Sequence, residues 1–210
     1  MKSTTMFLGG LAIGIVGLGA ARYAAMPPAE TDEPIHYHAN LVVYLDGERV
    51  RFQDELYMQD LASCRLDPTM LSTYDRVHFH QMIDDVVHTH DSGVAWGHFF
   101  SNLGYTVGDD VVVDDEGERF VDGDGQELVF VLNGSGVPSI ANREIRSLDR
   151  LLVHHGPADV DPALIDARFD EVPDNAQAFN ESHQDGLGCT SGEEHEEETA
   201  LTRLRRAFWF

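Results

Sequence analysis

The chain has 210 residues, with 37 Asp and Glu against 14 Lys and Arg, for a formal net charge of −23. A balance this acidic excludes a nucleic-acid binder, because phosphate contacts need a basic face. Lys2 is the sole lysine. The self-repulsion of such a chain strains a compact state, and molar salt shortens the screening length to about 3 Å, so the composition predicts a halophilic protein.

The first segment, Met6 to Ala21, carries no charge and holds five glycines, with Lys2 before it and Arg22 after. It is short for a membrane span unless the helix runs on to Met26 with Arg22 snorkelling. A signal peptide fits the same pattern, and under either reading the rest of the chain is exported. No clear cleavage triplet ends the segment, so the expectation is an uncleaved N-terminal transmembrane helix over residues 1–26. A stiff, proline-bounded linker (27–34) comes next. The domain is then expected in the extracytoplasmic space, held at the cell membrane by a single N-terminal span.

From Ile35 the pattern is that of strands. His38 to Leu45 is β-branched and aromatic, Asp46-Gly47 is a hairpin turn, and Arg49 to Phe52 returns. Residues 76–80 and 86–90 read as two more strands. Trp96, Phe99, Phe100 and Leu103 fall at i, i+3, i+4 and i+7, an apolar helical stripe closed by Gly104. Strands resume at 110–114, 127–133 and 149–154, with a turn at Asn133-Gly134. Asp161-Pro162 opens a short helix to about Glu171. The expected class is α+β and β-rich: a small mixed or antiparallel sheet with one or two short helices, β-grasp-like in the order of its elements. The β-rich His-x-His domain spans 35–156. A helix and polar extension fills 157–190, and an acidic tail with a basic-aromatic end fills 191–210. That end, Phe208-Trp209-Phe210 after three arginines, fits either a membrane or envelope-protein contact or a helix docked on the chain's own acidic surface.

Six of the eleven histidines form three His-x-His pairs: His36/His38, His78/His80 and His88/His90. On a strand, i and i+2 share a face, so each pair presents two imidazoles side by side. Imidazole suits copper and zinc alike. A hairpin with loop residues 83–85 sets His80 opposite His88 and His78 opposite His90, four rings on one face. A two-residue loop instead sends the pairs to opposite faces. Asp84, Asp85 and Asp91 lie close by as further ligands or as partners for a ring N–H. His154-His155 alternates across a strand, so at most one of them joins a common site. His98 lies off the apolar stripe and is expected in solvent, as are His183 and His195. The leading reading is an extracytoplasmic domain binding copper or zinc through these pairs. Its rivals are an envelope module with purely structural histidines and a metal-dependent enzyme of unspecified substrate.

Other signals are sparse. Cys64 and Cys189 are not in a Cys-x-x-Cys pair and either form a disulfide or remain separate thiols. Asn133 and Asn180 each begin a glycosylation sequon. No phosphate loop, nucleophile elbow or dinucleotide fingerprint is present.

The run Val77-His-Phe-His80, Val86-Val-His-Thr-His90, Gly97-His-Phe-Phe100-Ser-Asn-Leu-Gly104, Asn133-Gly134 and Asp149-Arg150 resembles a family of small uncharacterised exported or membrane-anchored proteins of archaea and uncultured bacterial lineages. The resemblance covers about residues 35–156. It implies a common fold and no particular activity.

Overall fold

A strand buried at every position after its first, β1 (Tyr37–Leu45), runs through the centre of the computed structural model, which describes residues 35–58 and 73–182. Asp46 and Gly47 take positive φ and turn the chain into the two-residue β2 (Glu48–Arg49). A short 3-10 turn (Glu55–Tyr57) is capped by the Asp54 carboxylate. After α1 (Thr73–Arg76) come β3 (Val77–His80) and β4 (Ile83–Thr89), and then α2 (Trp96–Asn102). A separate three-stranded sheet comes next: β5 (Thr106–Val107), β6 (Val111–Val113) and β7 (Arg119–Val121). The main sheet is completed by β8 (Gln126–Leu132), β9 (Ser135–Val137) and β10 (Arg150–Pro157), before α3 (Pro162–Asp170) and α4 (Ala176–Ser182).

The main sheet has the order β3-β4-β1-β10-β8-β9, with β2 also on β1. β1 and β10 are parallel and the other pairings antiparallel. The expected α+β, β-rich class with a mixed sheet and few short helices is what the chain adopts. Of the small sheet, β6 falls inside the expected strand 110–114, while β5, β7 and β9 are too short to leave a period in the sequence.

The alternation of β1 sorts its two faces. Ala39, Leu41, Val43 and Leu45 join the large core with Phe79, Val87, Trp96, Phe99, Phe100, Ile140 and Ile145. Val42 and Tyr44 face the other way, into a smaller cluster with Leu152, Val172, Ile165 and Phe169. Helix α2 covers the first face, its whole expected stripe being buried. The second face is covered by α3 and α4. Asp161 caps α3 through Ala163 N–H, with Pro162 in the first turn, as the sequence predicts.

His154 and His155 diverge as expected, and each finds its own partner. His155 Nδ1 lies 2.9 Å from Asp46 Oδ1. His154 packs against Tyr44 and accepts from Arg168, which also caps Gly47 O. Burial, then the Arg168 guanidinium and His155, push the His154 pKa down to about 4. The unfolded chain takes up a proton at His154 near pH 6.5, while the folded chain refuses it until about 4. Stability present above pH 6.5 is therefore lost as pH falls through this window. Urea midpoints measured from pH 7.5 to 4 should fall less steeply in His154→Gln than in the native chain.

The apolar segment Met6–Ala21, Cys64, Cys189, His183, His195 and Phe208-Trp209-Phe210 lie outside the described residues. Among the described residues no helix is long and apolar enough to cross a membrane.

Candidate metal centre

Three neighbouring strands carry four of the six paired histidines, with His36 just before β1 and His90 just after β4, and the rings meet on the sheet face that α4 covers. β1 pairs with β4 so that His38 faces His88, and just beyond the strand ends the rings of His36 and His90 stack 4.5 Å apart. On the other side of β4, His78 faces His88.

The turn between β3 and β4 differs from the expected loop 83–85. It is a two-residue turn at Gln81-Met82, with φ of +59° and +58°, closed by the pair His80↔Ile83. Neither residue type favours a left-handed backbone, so Asp84-Asp85 is the stronger turn signal in the sequence. A two-residue turn alone would put His80 and His88 on opposite faces. The register shift between His78 and His80 restores the common face.

His38 and His88 are 0% exposed, His80 1% and His78 3%, while His36 and His90 are partly exposed and line the rim. Ring centres are 4.2 Å apart for His38 and His88, 3.6 Å for His80 and His88, and 4.7 Å for His36 and His38. One ligand nitrogen from each of His36, His38 and His88 lies within 4.8 Å of the others, so this trio could hold a metal ion.

Three ring nitrogens crowd one point. His88 Nδ1 lies 2.8 Å from both His38 Nε2 and His80 Nε2. An imidazole nitrogen has one in-plane proton or one in-plane lone pair, so it serves one such neighbour well and not two. A cation accepts several ring lone pairs at once. Two of the rings, His88 and His90, are also held neutral, as ligands must be. Burial, reinforced by His80, His38, His78 and His36, keeps His88 well below the ordinary histidine range. Burial and then the neighbouring histidines push His90 down to about 2. His90 Nε2 is buried without a hydrogen-bond partner.

The three aspartates are otherwise engaged or at the margin. Asp84 is buried, where its carboxylate takes Arg51 and the Phe52 N–H. Asp91 is held 2.7 Å from Arg76 Nε. Asp85 offers its backbone carbonyl to Asn40 Nδ2. His98 is exposed, as expected, with Nδ1 accepting from Ala95 N.

Two asparagines complete the site, and sequence reasoning misses both as part of it. Asn40, two residues along β1 from His38, is fully buried. It accepts from Ala176 N and donates to Asn175 Oδ1, which fixes the start of α4. That helix brings Phe179 against His38 and His88, and Asn180 onto His38. Asn180 Oδ1 accepts from the His38 backbone N–H at 2.9 Å and from Nδ1 at 2.7 Å. Because the backbone N–H can only donate, the amide oxygen faces His38, and His38 must carry its proton on Nδ1. Its Nε2 lone pair is thereby aimed into the cluster, the role such outer partners play in metal sites. Asn180→Leu should weaken metal affinity about 10- to 100-fold with the fold retained, read by competition titration against a chelator. The side-chain amides of both sequon asparagines are engaged: Asn180 Nδ2 donates to Ser147, and Asn133 Nδ2 to Asp149. The signal that could expose Asn40 is its place in line with His36 and His38 on one strand face.

Comparison of the chain with protein-family models, with curated proteins and with solved structures finds no match.

Proposed function

We propose that this chain is an extracytoplasmic domain, anchored by its N-terminal apolar segment, that binds a transition metal through the histidine cluster and serves copper handling outside the cell. The observation that carries the reading is the gathering of three His-x-His pairs into one group, four of its rings buried, with a trio of nitrogens within reach of one ion. An all-imidazole donor set takes copper or zinc, and copper(II) stands above zinc in the affinity order for such ligands. The strong negative charge of the chain raises the local concentration of cations at the mouth formed by His36 and His90. Arginine pairing of Asp84 and Asp91 favours binding over general-base chemistry. Export rests on the composition of Met6–Ala21, and the link to a family of exported or membrane-anchored proteins of archaea and uncultured bacterial lineages rests on the motif run. A β-grasp-like core is supported by the order β4-β1-β10-β8 with its two central strands parallel, and by itself it says nothing about activity.

The test is metal content by plasma mass spectrometry on the full chain, purified in high salt without a histidine tag. The native chain should retain copper or zinc at one ion per chain or more, and His38→Ala/His88→Ala should hold at least one ion fewer. No metal in the native chain, even after reconstitution with copper(II) and zinc(II), would overturn the proposal and leave these as structural histidines of an envelope module.

A further inference from the structure

Resting on that metal-binding reading, we infer that the cluster is a two-ion centre, with His36, His38 and His88 holding one ion and His78, His80 and His90 holding a second beside it. Each ion then draws a complete His-x-His pair from a flanking strand and one ring from the pair on β4, which runs between them.

Ring geometry sets the partition. An imidazole lone pair lies in its ring plane, so two rings that share an ion need planes that meet at it. Rings stacked face to face do not share one. The two most parallel pairs are His78/His88 at 7° and His36/His90 at 10°. Both run across the proposed division, separating the ring of β4 from the wrong strand's pair in each case. The steepest inclinations fall within the trios: 62° for His36/His38, 84° for His38/His88 and 53° for His78/His80, against 46° for His80/His88, where the trios touch. Each trio also has one shallow pair, 23° for His36/His88 and 20° for His78/His90. The first trio brings its nitrogens within 4.8 Å despite that shallow pair, and among the described residues it is the group that does so; the second trio draws together when its ion binds.

Spacing agrees. Nitrogens about 2.0–2.1 Å from a tetrahedral ion put ring centres about 5.2 Å apart. In the second trio the separations are 5.8 Å for His78/His80 and 5.1 Å for His78/His90. In the first they are 4.7, 4.2 and 6.1 Å. The trios meet where His80 touches His88, with ring centres 3.6 Å apart, so the two ions are neighbours. A single ion ringed by all six histidines would need every lone pair to converge on one point, which the 7° and 10° stacks oppose.

Copper(II) alone is the probe, added to the metal-free full chain in high salt, with bound copper counted after desalting and the paramagnetic signal recorded. Two copper ions per chain are expected, with a magnetically coupled spectrum at full loading and an isolated copper(II) spectrum at half loading. His90→Gln, at the rim, should bind one copper with an uncoupled spectrum, as should His78→Gln/His80→Gln. His36→Gln/His38→Gln should likewise keep one. Far-ultraviolet circular dichroism on each variant separates loss of a ligand from loss of the fold, and His90→Gln remains informative if the paired variants unfold. One copper per native chain, lost when either trio is altered, would overturn the two-ion centre and leave the metal-binding reading standing. No copper at all would overturn both.

Discussion

Replacing His88 by leucine should barely alter the metal-free protein while removing the stabilisation that copper(II) brings at the site to which it belongs. His88 is fully buried at the junction of the cluster and is held neutral there. Its loss deprives His38 and His80 of a ring contact, a hydrogen-bond term of about 1 kcal/mol. Leucine fills the space with apolar surface, which is worth more when buried than the imidazole it replaces. The two effects offset, and the metal-free variant should lie within about 1 kcal/mol of the native chain. With free ion at a thousand times its dissociation constant, the native chain gains about 4 kcal/mol per site, and the variant loses the site to which His88 belongs. Urea unfolding with chelator and with copper(II) gives four midpoints, and the expected pattern is a near-match in the first pair and a wide gap in the second. Histidines that serve only as packing would destabilise equally in both.

The histidine cluster is legible in the sequence while its wiring is not. Each His-x-His pair gives its common face directly, because the strand period is two whatever the fold. Which strands lie side by side is a matter of long-range pairing, and β1 sits between β4 and β10 for reasons that no local pattern carries. The expected pairing of His80 with His88 depends on a three-residue loop. The actual turn at Gln81-Met82 uses residues that seldom take positive φ, and the contact is recovered only through an irregular register. Turns of standard chemistry, Asp46-Gly47 and Asn133-Gly134, fall where the sequence puts them. Helix α4 escapes a sequence reading because seven residues of mixed polarity give no usable period, and with it goes Asn180, which shows only as a sequon. Asn40 escapes for the opposite reason: in a run of β-branched residues it looks like a surface position, and it is fully buried because α4 needs it.

Gly97→Ala should destabilise the fold by about 3 kcal/mol, among the largest effects of any single methyl group in the chain. Helix α2 buries Trp96, Phe99 and Phe100 in the large core, and its first turn is tied to the segment before β10. Trp96 N donates to Arg143 O, and Gly97 N to Ala141 O at 3.1 Å. A Cβ on Gly97 would stand 2.4 Å from that same Ala141 oxygen and 3.1 Å from its carbonyl carbon. The obstacle is backbone, so no rotamer change relieves it. Either the 140–145 segment moves, breaking the hydrogen bond from Ile145 N to Val94 O, or the helix lifts its aromatic stripe from the sheet. Both disturb Tyr37, whose hydroxyl donates to Ile145 O from the strand that carries His38. A stability loss measured by urea unfolding should therefore be joined by weaker copper retention, although Gly97 lies on the opposite face of the sheet from the histidines. A neutral Gly97→Ala would mean that the 140–145 segment yields more readily than its hydrogen bonds imply.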